Sequence, residues 1–203
     1  MNLIRRAVQR RESSEMWIER YDPRWHSEVI QLASTVFGEG YFSEPWLQTR
    51  QPDSVMFLAY DESAGLFGFA HGRILPKDGL RPYLGPAVGE FPPDIADADA
   101  AGNLGVIEVV AVAASHRRQG IGFTLLRATH DALVGAGADK LLVTFKRGPR
   151  AAPVDGIMRR LGFDLWRKQP SYWRDQCNRG EFKCVDRRDR CVCEAMVFRK
   201  SVY

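Results

Sequence analysis

No stretch of the 203-residue chain approaches the ~18–20 consecutive apolar residues that a bilayer-spanning helix needs, so a membrane partner is not expected. The opening residues, Met-Asn-Leu-Ile-Arg-Arg-Ala-Val-Gln-Arg-Arg-Glu-Ser-Ser-Glu, lack the apolar core of an export signal. Residues 1–15 therefore read as a leader ahead of a single domain over 16–203, and the expected location is the cytoplasm. Cysteine is absent from the first 176 residues; Cys177, Cys184, Cys191 and Cys193 crowd one short segment, which excludes a disulfide framework spread through the fold. No Gly-Lys-Ser or Gly-Lys-Thr is present, which excludes a P-loop nucleotide triphosphatase. Internal repeats and low-complexity tracts are missing too. A hydrophobic content of 45% then suffices for one ordinary core.

Charge is unevenly placed. Residues 146–203 hold 15 Lys+Arg against 7 Asp+Glu, so with a net charge of +4 overall the first 145 residues carry −4. A basic end suits either a solvated surface or a phosphate-bearing partner such as nucleic acid.

Periodicity places strands at 16–21, 54–60, 66–75, 104–113, 140–145, 163–173 and 191–200. Helical spacing runs over 26–40, over a short segment capped by Ser43 with Pro45, Trp46 and Leu47, over 119–134 and over 153–161. The proline- and glycine-rich stretch 76–103 reads as a long irregular loop. Strand–helix–strand units in the middle imply a partly parallel α/β (mixed α+β) sheet with helices on both faces.

The segment from Val109 to Leu126 carries the chemistry. An apolar strand enters the basic turn Arg117-Arg118-Gln119, followed by Gly120-Ile121-Gly122 and an apolar helix. A helix start leaves N–H groups unpaired and partly positive, and two glycines let an anion approach them. Arg117 and Arg118 add charge. The arrangement is a cradle for a pyrophosphate. It lacks the third glycine of a dinucleotide fingerprint.

Arg117-Arg118-Gln119-Gly120-Ile121-Gly122 after an apolar-x-Val strand resembles the signature of the GNAT acetyltransferase superfamily, and the order of elements is similar to that family's over roughly residues 16–200. Leu161-Gly162-Phe163 resembles the ending of its last helix. The resemblance implies a central mixed sheet of about seven strands that splays in the middle, flanked by about four helices. It implies acetyl-CoA as co-substrate, with backbone groups of Val110 and Val112 on the pantetheine arm. The amides of Gln119, Gly120, Ile121, Gly122, Phe123 and Thr124 would lie on the pyrophosphate. The implied reaction is N-acyl transfer from a thioester to a small-molecule or peptide amine, and a homodimer is compatible with it.

An amine must lose a proton before attack. Glu108 is the one charged residue of strand 104–113; alone there, it would have a raised pKa and serve as base, at the place where many family members carry a catalytic Glu. Met158 stands where many members have a Tyr that protonates the leaving thiolate, so the acid would be a water, or Tyr172 or another hydroxyl in its place. His71, on a strand near Arg73, reads as a structural histidine. Tyr41, Phe42 and Trp46 read either as an apolar wall for the acceptor or as ordinary core aromatics, and Glu90, Asp94, Asp97 and Asp99 either as attraction for a cationic amine or as a solvated loop. Cys177, Cys184, Cys191 and Cys193, in a polar insertion between the last two strands, read as four ligands of one structural Zn2+, with inert buried thiols or thiols that pair under oxidation as the alternatives. Two alternative readings stay open: a nucleic-acid-associated acyltransferase or binding module using the basic Cys-rich end, and a non-catalytic acyl-CoA-binding protein.

Overall fold

A computed structural model describes residues 6–8, 16–42, 54–85, 90–147, 154–181, 183–186 and 193–202. The short helix expected after Ser43, with Pro45, Trp46 and Leu47, lies outside these residues, as does Cys191. In chain order the strands are β1 Arg6–Val8, β2 Met16–Arg20, β3 Gly38–Glu39, β4 Ser54–Asp61, β5 Gly65–Ile74, β6 Leu104–Val112, β7 Lys140–Arg147, β8 Asp164–Pro170, β9 Lys183–Cys184 and β10 Glu194–Ser201. The helices are α1 His26–Phe37, α2 Leu80–Leu84, α3 Pro93–Ala101, α4 Ile121–Gly135, α5 Asp155–Arg160 and α6 Arg174–Arg179.

Seven expected strands form one sheet, and β1 adds an eighth at its edge, within the segment that reads as a leader. The order is β1-β2-β4-β5-β6-β7-β10-β8, while β3 and β9 make a separate two-stranded sheet. All neighbours in the large sheet are antiparallel except β6 and β7, which α4 joins as a parallel crossover. The stretch 76–103 is not the irregular loop its prolines suggest. Pro92 and Pro93 occupy the start of α3, where a missing N–H costs little, and Asp99 accepts the Leu80 N–H at 2.9 Å to fix α2. The insertion after β8 also has a helix of its own, α6, with Cys177 buried.

The core lies on both faces of the sheet. On one face α4 and α5 bury Leu126, Leu133, Met158 and Phe163 against Ile107 and Val143. On the other, α1 buries Val29, Leu32 and Ala33 against Phe69, Val109 and Ala111, while α2 and α3 bury Leu80, Leu84 and Ile95 against Leu104 and Val106. Ile107 and Val109 thus face opposite ways although two residues apart. A β-bulge explains this. His71 pairs with Val109 and Gly72 with Ile107, so Glu108 is the extra residue of β6.

Gly72 permits the bulge. A Cβ there would meet the Val106 carbonyl oxygen at 2.7 Å and the Thr129 and Leu133 side chains of α4 at 3.0 Å. Gly72→Ala should therefore cost about 1–3 kcal/mol and lower Tm by several degrees. Thermal denaturation of parent and variant checks this, and an unchanged Tm would show that the bulge adapts freely.

Candidate active site

The bulge coincides with the point where the sheet opens. β6 and β7 pair from Leu104↔Lys140 to Ile107↔Val143 and no further. Beyond that pair, β6 continues to Val112 beside β5 and β7 continues to Arg147 beside β10. Glu108 and Thr144 are thus the first residues of a V-shaped cleft. Backbone groups of Val110 and Val112 on the β7 side of β6 take no ladder partner within that pairing.

Glu108 is not the solitary carboxylate that its strand suggests. Arg73 Nε donates to its Oε1 at 2.8 Å, and His71 Nδ1 lies 2.9 Å from its Oε2. Burial opposes its charge, but the hydrogen bond to His71 and the Arg73 guanidinium outweigh that cost and hold its carboxyl below the ordinary value. This corrects the expected rise. His71 and Arg73 stand two apart on β5, and their spacing is the only trace of this pairing in the sequence. His71, expected as a structural histidine, is buried with the candidate base as its partner.

The cradle lies at the start of α4. Gly120 precedes the helix at φ +81°, a left-handed conformation that favours glycine, and Arg118 is left-handed at φ +63°. The first helical bond runs from Thr124 N–H to Gly120 O at 3.0 Å, so the N–H groups of Ile121, Gly122 and Phe123 have no partner within the helix. A Cβ at Gly120 would meet nothing within 4 Å, and one at Gly122 only Val112 Cγ2 at 3.8 Å. Space for an anion is therefore open in front of these amides. Arg118 and Gln119 are exposed at the rim, with Gln119 Nε2 reaching Ser115 O at 3.4 Å. Arg117 is exposed too, but its Nε donates to Val112 O at 3.1 Å and braces the turn. The Ile121 side chain is core, so only its amide is available. Phe123 lies under the Arg160 guanidinium at 4.2 Å, and Thr124 Oγ1 donates to Gly120 O at 3.2 Å.

On the other side of the splay is a cavity of about 470 Å³ whose lining includes Glu108, Val110, Tyr41, Tyr83, Tyr172 and Lys146. Burial, with the Glu108 charge as a further cause, pushes the Tyr41 hydroxyl up to about 12 and Tyr83 upward; burial alone pushes Tyr172 up to about 12. All three stay protonated at neutral pH and can donate. Met158, by contrast, is wholly buried in the core beside Phe163 and does not line the cavity. Tyr41 and Phe42 line the cavity, but Phe42 is also a buried member of the core under α1, with Tyr41 packed against that core, and Trp46 lies outside the described residues. The acidic segment serves partly as structure: Asp99 is buried, and Asp94 pairs with Arg199 at 3.2 Å. Tyr83, from α2 of that segment, is the contributor that sequence reasoning missed.

Cys177, Cys184 and Cys193 line the same cavity. Cys177 and Cys193 are buried together with Cys184 and Trp173 against them. Lys146 Nζ lies 3.2 Å from Cys184 Sγ and 2.7 Å from Asp186 Oδ2. Burial disfavours that ammonium, but Asp186 and Cys184 outweigh the cost and raise its pKa.

The model of the Acetyltransferase (GNAT) family matches residues 14–163. The chain belongs to that family and is an acyltransferase; acyl transfer from acetyl-CoA is the family's general activity. A search of curated protein sequences finds no significant match. The fold is shared with NAA60 of Arabidopsis thaliana in complex with acetyl-CoA, at 14% identity, TM-score 0.64 and coverage of 92% of this chain and 98% of that one. A structure of an acetyltransferase of undemonstrated activity from Acinetobacter baylyi is similar at 12% identity, TM-score 0.63 and 95% of each chain. The ribosomal-protein-S18-alanine N-acetyltransferase of Escherichia coli is similar at 13% identity, TM-score 0.60, with 92% and 94% covered. Among the described residues no helix is long and apolar enough to cross a membrane.

Gly122→Glu adds a carboxylate to the open space without the backbone strain that Gly120 would impose. Acetyl-CoA should raise the Tm of the parent and leave that of the variant unchanged; equal affinity of both by calorimetry would remove the cradle. A second expectation concerns acid. Because the folded carboxyl of Glu108 is lowered, its contribution to stability is complete above the ordinary Glu value of about 4.3 and is lost as pH falls through the folded value. Glu108→Gln should therefore flatten the acid limb of a Tm-against-pH profile, and parallel profiles would contradict the pairing.

Proposed function

We propose that the chain acetylates a cationic small-molecule or peptide amine that enters the aromatic cavity, with Glu108 as the group that receives it. The observation that carries this reading is the position of Glu108 at the apex of the splay, between the cleft and the cavity. Acetyl-CoA would lie with its pyrophosphate on the amides from Gln119 to Thr124 and its pantetheine arm along Val110 and Val112. Its thioester would then reach the apex. The amine nitrogen attacks the thioester carbonyl, the C–S bond breaks, and the thiolate leaves with a proton that ultimately comes from the amine.

The lowered pKa of Glu108 refines its role. A carboxylate held ionised by His71 and Arg73 attracts an ammonium and orients it, and it accepts the proton directly or through a water. The Tyr41, Tyr83 and Tyr172 rings give the cation an aromatic surround. Their hydroxyls, protonated at working pH, are the donors nearest in kind to the Tyr that Met158 displaces. Cysteines confined to one short segment, with none elsewhere to staple the fold, suit a reducing compartment, and we place the protein in the cytoplasm.

Glu108→Gln should lower kcat/KM for an amine acceptor by roughly 10²–10⁴-fold near neutral pH. Part of the loss should return at alkaline pH, where the amine sheds its own proton. Release of free coenzyme A thiol, measured from pH 6 to 9 (about the range over which such groups titrate), checks this. Equal rates throughout would reduce Glu108 to a structural residue.

A further inference from the structure

We infer that Cys184, Asp186 and Cys193 are ligands of one Zn2+ that fastens the Cys-rich insertion as a wall of the acceptor cavity. The metal site itself stands apart from the acetyl-transfer reading; only the naming of the cavity as the acceptor's rests on it. One ligand atom from each of the three residues lies within 4.8 Å of the others. This differs from the four thiolates expected from spacing: a carboxylate joins the set, and Cys191 lies outside the described residues. Cys177 packs against Cys193 but is not among the residues whose ligand atoms converge, which also departs from the expected set. Two thiolates and a carboxylate form a donor set that zinc accepts, and zinc completes a tetrahedron with a fourth ligand.

A second observation points to a cation. The Asp186 side chain is only 4% exposed, and its Oδ1 is buried with no hydrogen-bond partner among the described residues. A buried carboxylate oxygen without a donor is costly unless an ion or other ligand meets it. Its other oxygen, Oδ2, is held by Lys146 at 2.7 Å. The Lys146 ammonium also offsets part of the negative charge that three such ligands bring together.

The ligands come from the middle and the last residue of the connection between β8 and β10. Cys184 pairs with Gly38 in the β3–β9 sheet, Val185 N–H donates to Phe37 O at 3.3 Å, and Cys193 directly precedes β10. The contact is close: a Cβ on Gly38 would fall 1.8 Å from Lys183 O. A metal bridging Cys184, Asp186 and Cys193 therefore ties the insertion to the end of α1 and to the sheet at once. The α4 cradle shares none of these residues.

Protein purified under reducing conditions without added metal should contain close to one zinc per chain. Replacement by Co2+ should give the charge-transfer absorption of thiolate ligands. Cys184→Ser with Cys193→Ser should abolish binding. Asp186→Asn, which preserves shape and thiols, should weaken it by at least the roughly 10–100-fold that losing even an outer partner costs. Zinc removal should speed hydrogen exchange over residues 172–186 and leave acetyl-CoA stabilisation intact, so failure of the metal site and failure of the cradle are told apart. A zinc content near zero with every native thiol freely reactive would overturn the inference. So would zinc binding that survives in both variants.

Discussion

The arrangement depends on one extra residue in one strand. Glu108 interrupts the pairing of β6 with β5, and across the bulge the inward alternation reverses, so that Ile107 packs under α4 while Val109 packs under α1. At the same residue β6 parts from β7. A regular ladder would have continued both pairings and buried a neutral side chain there. Instead, a carboxylate stands at the apex of an open wedge, and Arg73 and His71 on the adjacent strand stabilise its charge.

That wedge separates two chemistries. On the helix side, amides at the start of α4 lack helical partners, and the open space at Gly120 and Gly122 leaves room for an anion. On the other side, aromatic rings and a carboxylate form a cavity of about 470 Å³, within the roughly 300–1,000 Å³ of small-molecule sites. An anionic co-substrate and a cationic acceptor would thus approach from opposite sides and meet at one point, as direct attack on a thioester requires.

The walls of the cavity come from distant parts of the chain: the end of α1, α2 from the proline-rich stretch, and the Cys-rich insertion. Each carries one special fastening. Asp99 caps α2, and Gly38 admits the close approach of β9. The cluster around Asp186 joins the insertion to β7 through Lys146. Variation in these segments could change the acceptor without touching the cradle, since the two sides share only the strand between them.

The sequence by itself determined the local features: the apolar strand into Arg117–Gly122, the helix behind it, the hairpin of β4 and β5, and the crossover that makes β6 and β7 parallel. Each depends on residues near one another in the chain, through periodicity, caps and glycines. It also picked out Glu108, because one charge in an apolar strand is visible without a structure. The tertiary structure alone decided what Glu108 touches. Bulge register is a property of two strands, and the lowered pKa follows from Arg73 and His71 some 35 positions away. Likewise, cysteine spacing drew attention to the insertion but could not show that a carboxylate oxygen of Asp186 lies within 4.8 Å of the Cys184 and Cys193 sulfurs. Met158 entering the core, and Tyr83 entering the cavity from a stretch read as loop, have the same origin. Which face a side chain takes depends on packing between elements far apart in sequence, and no local pattern records it.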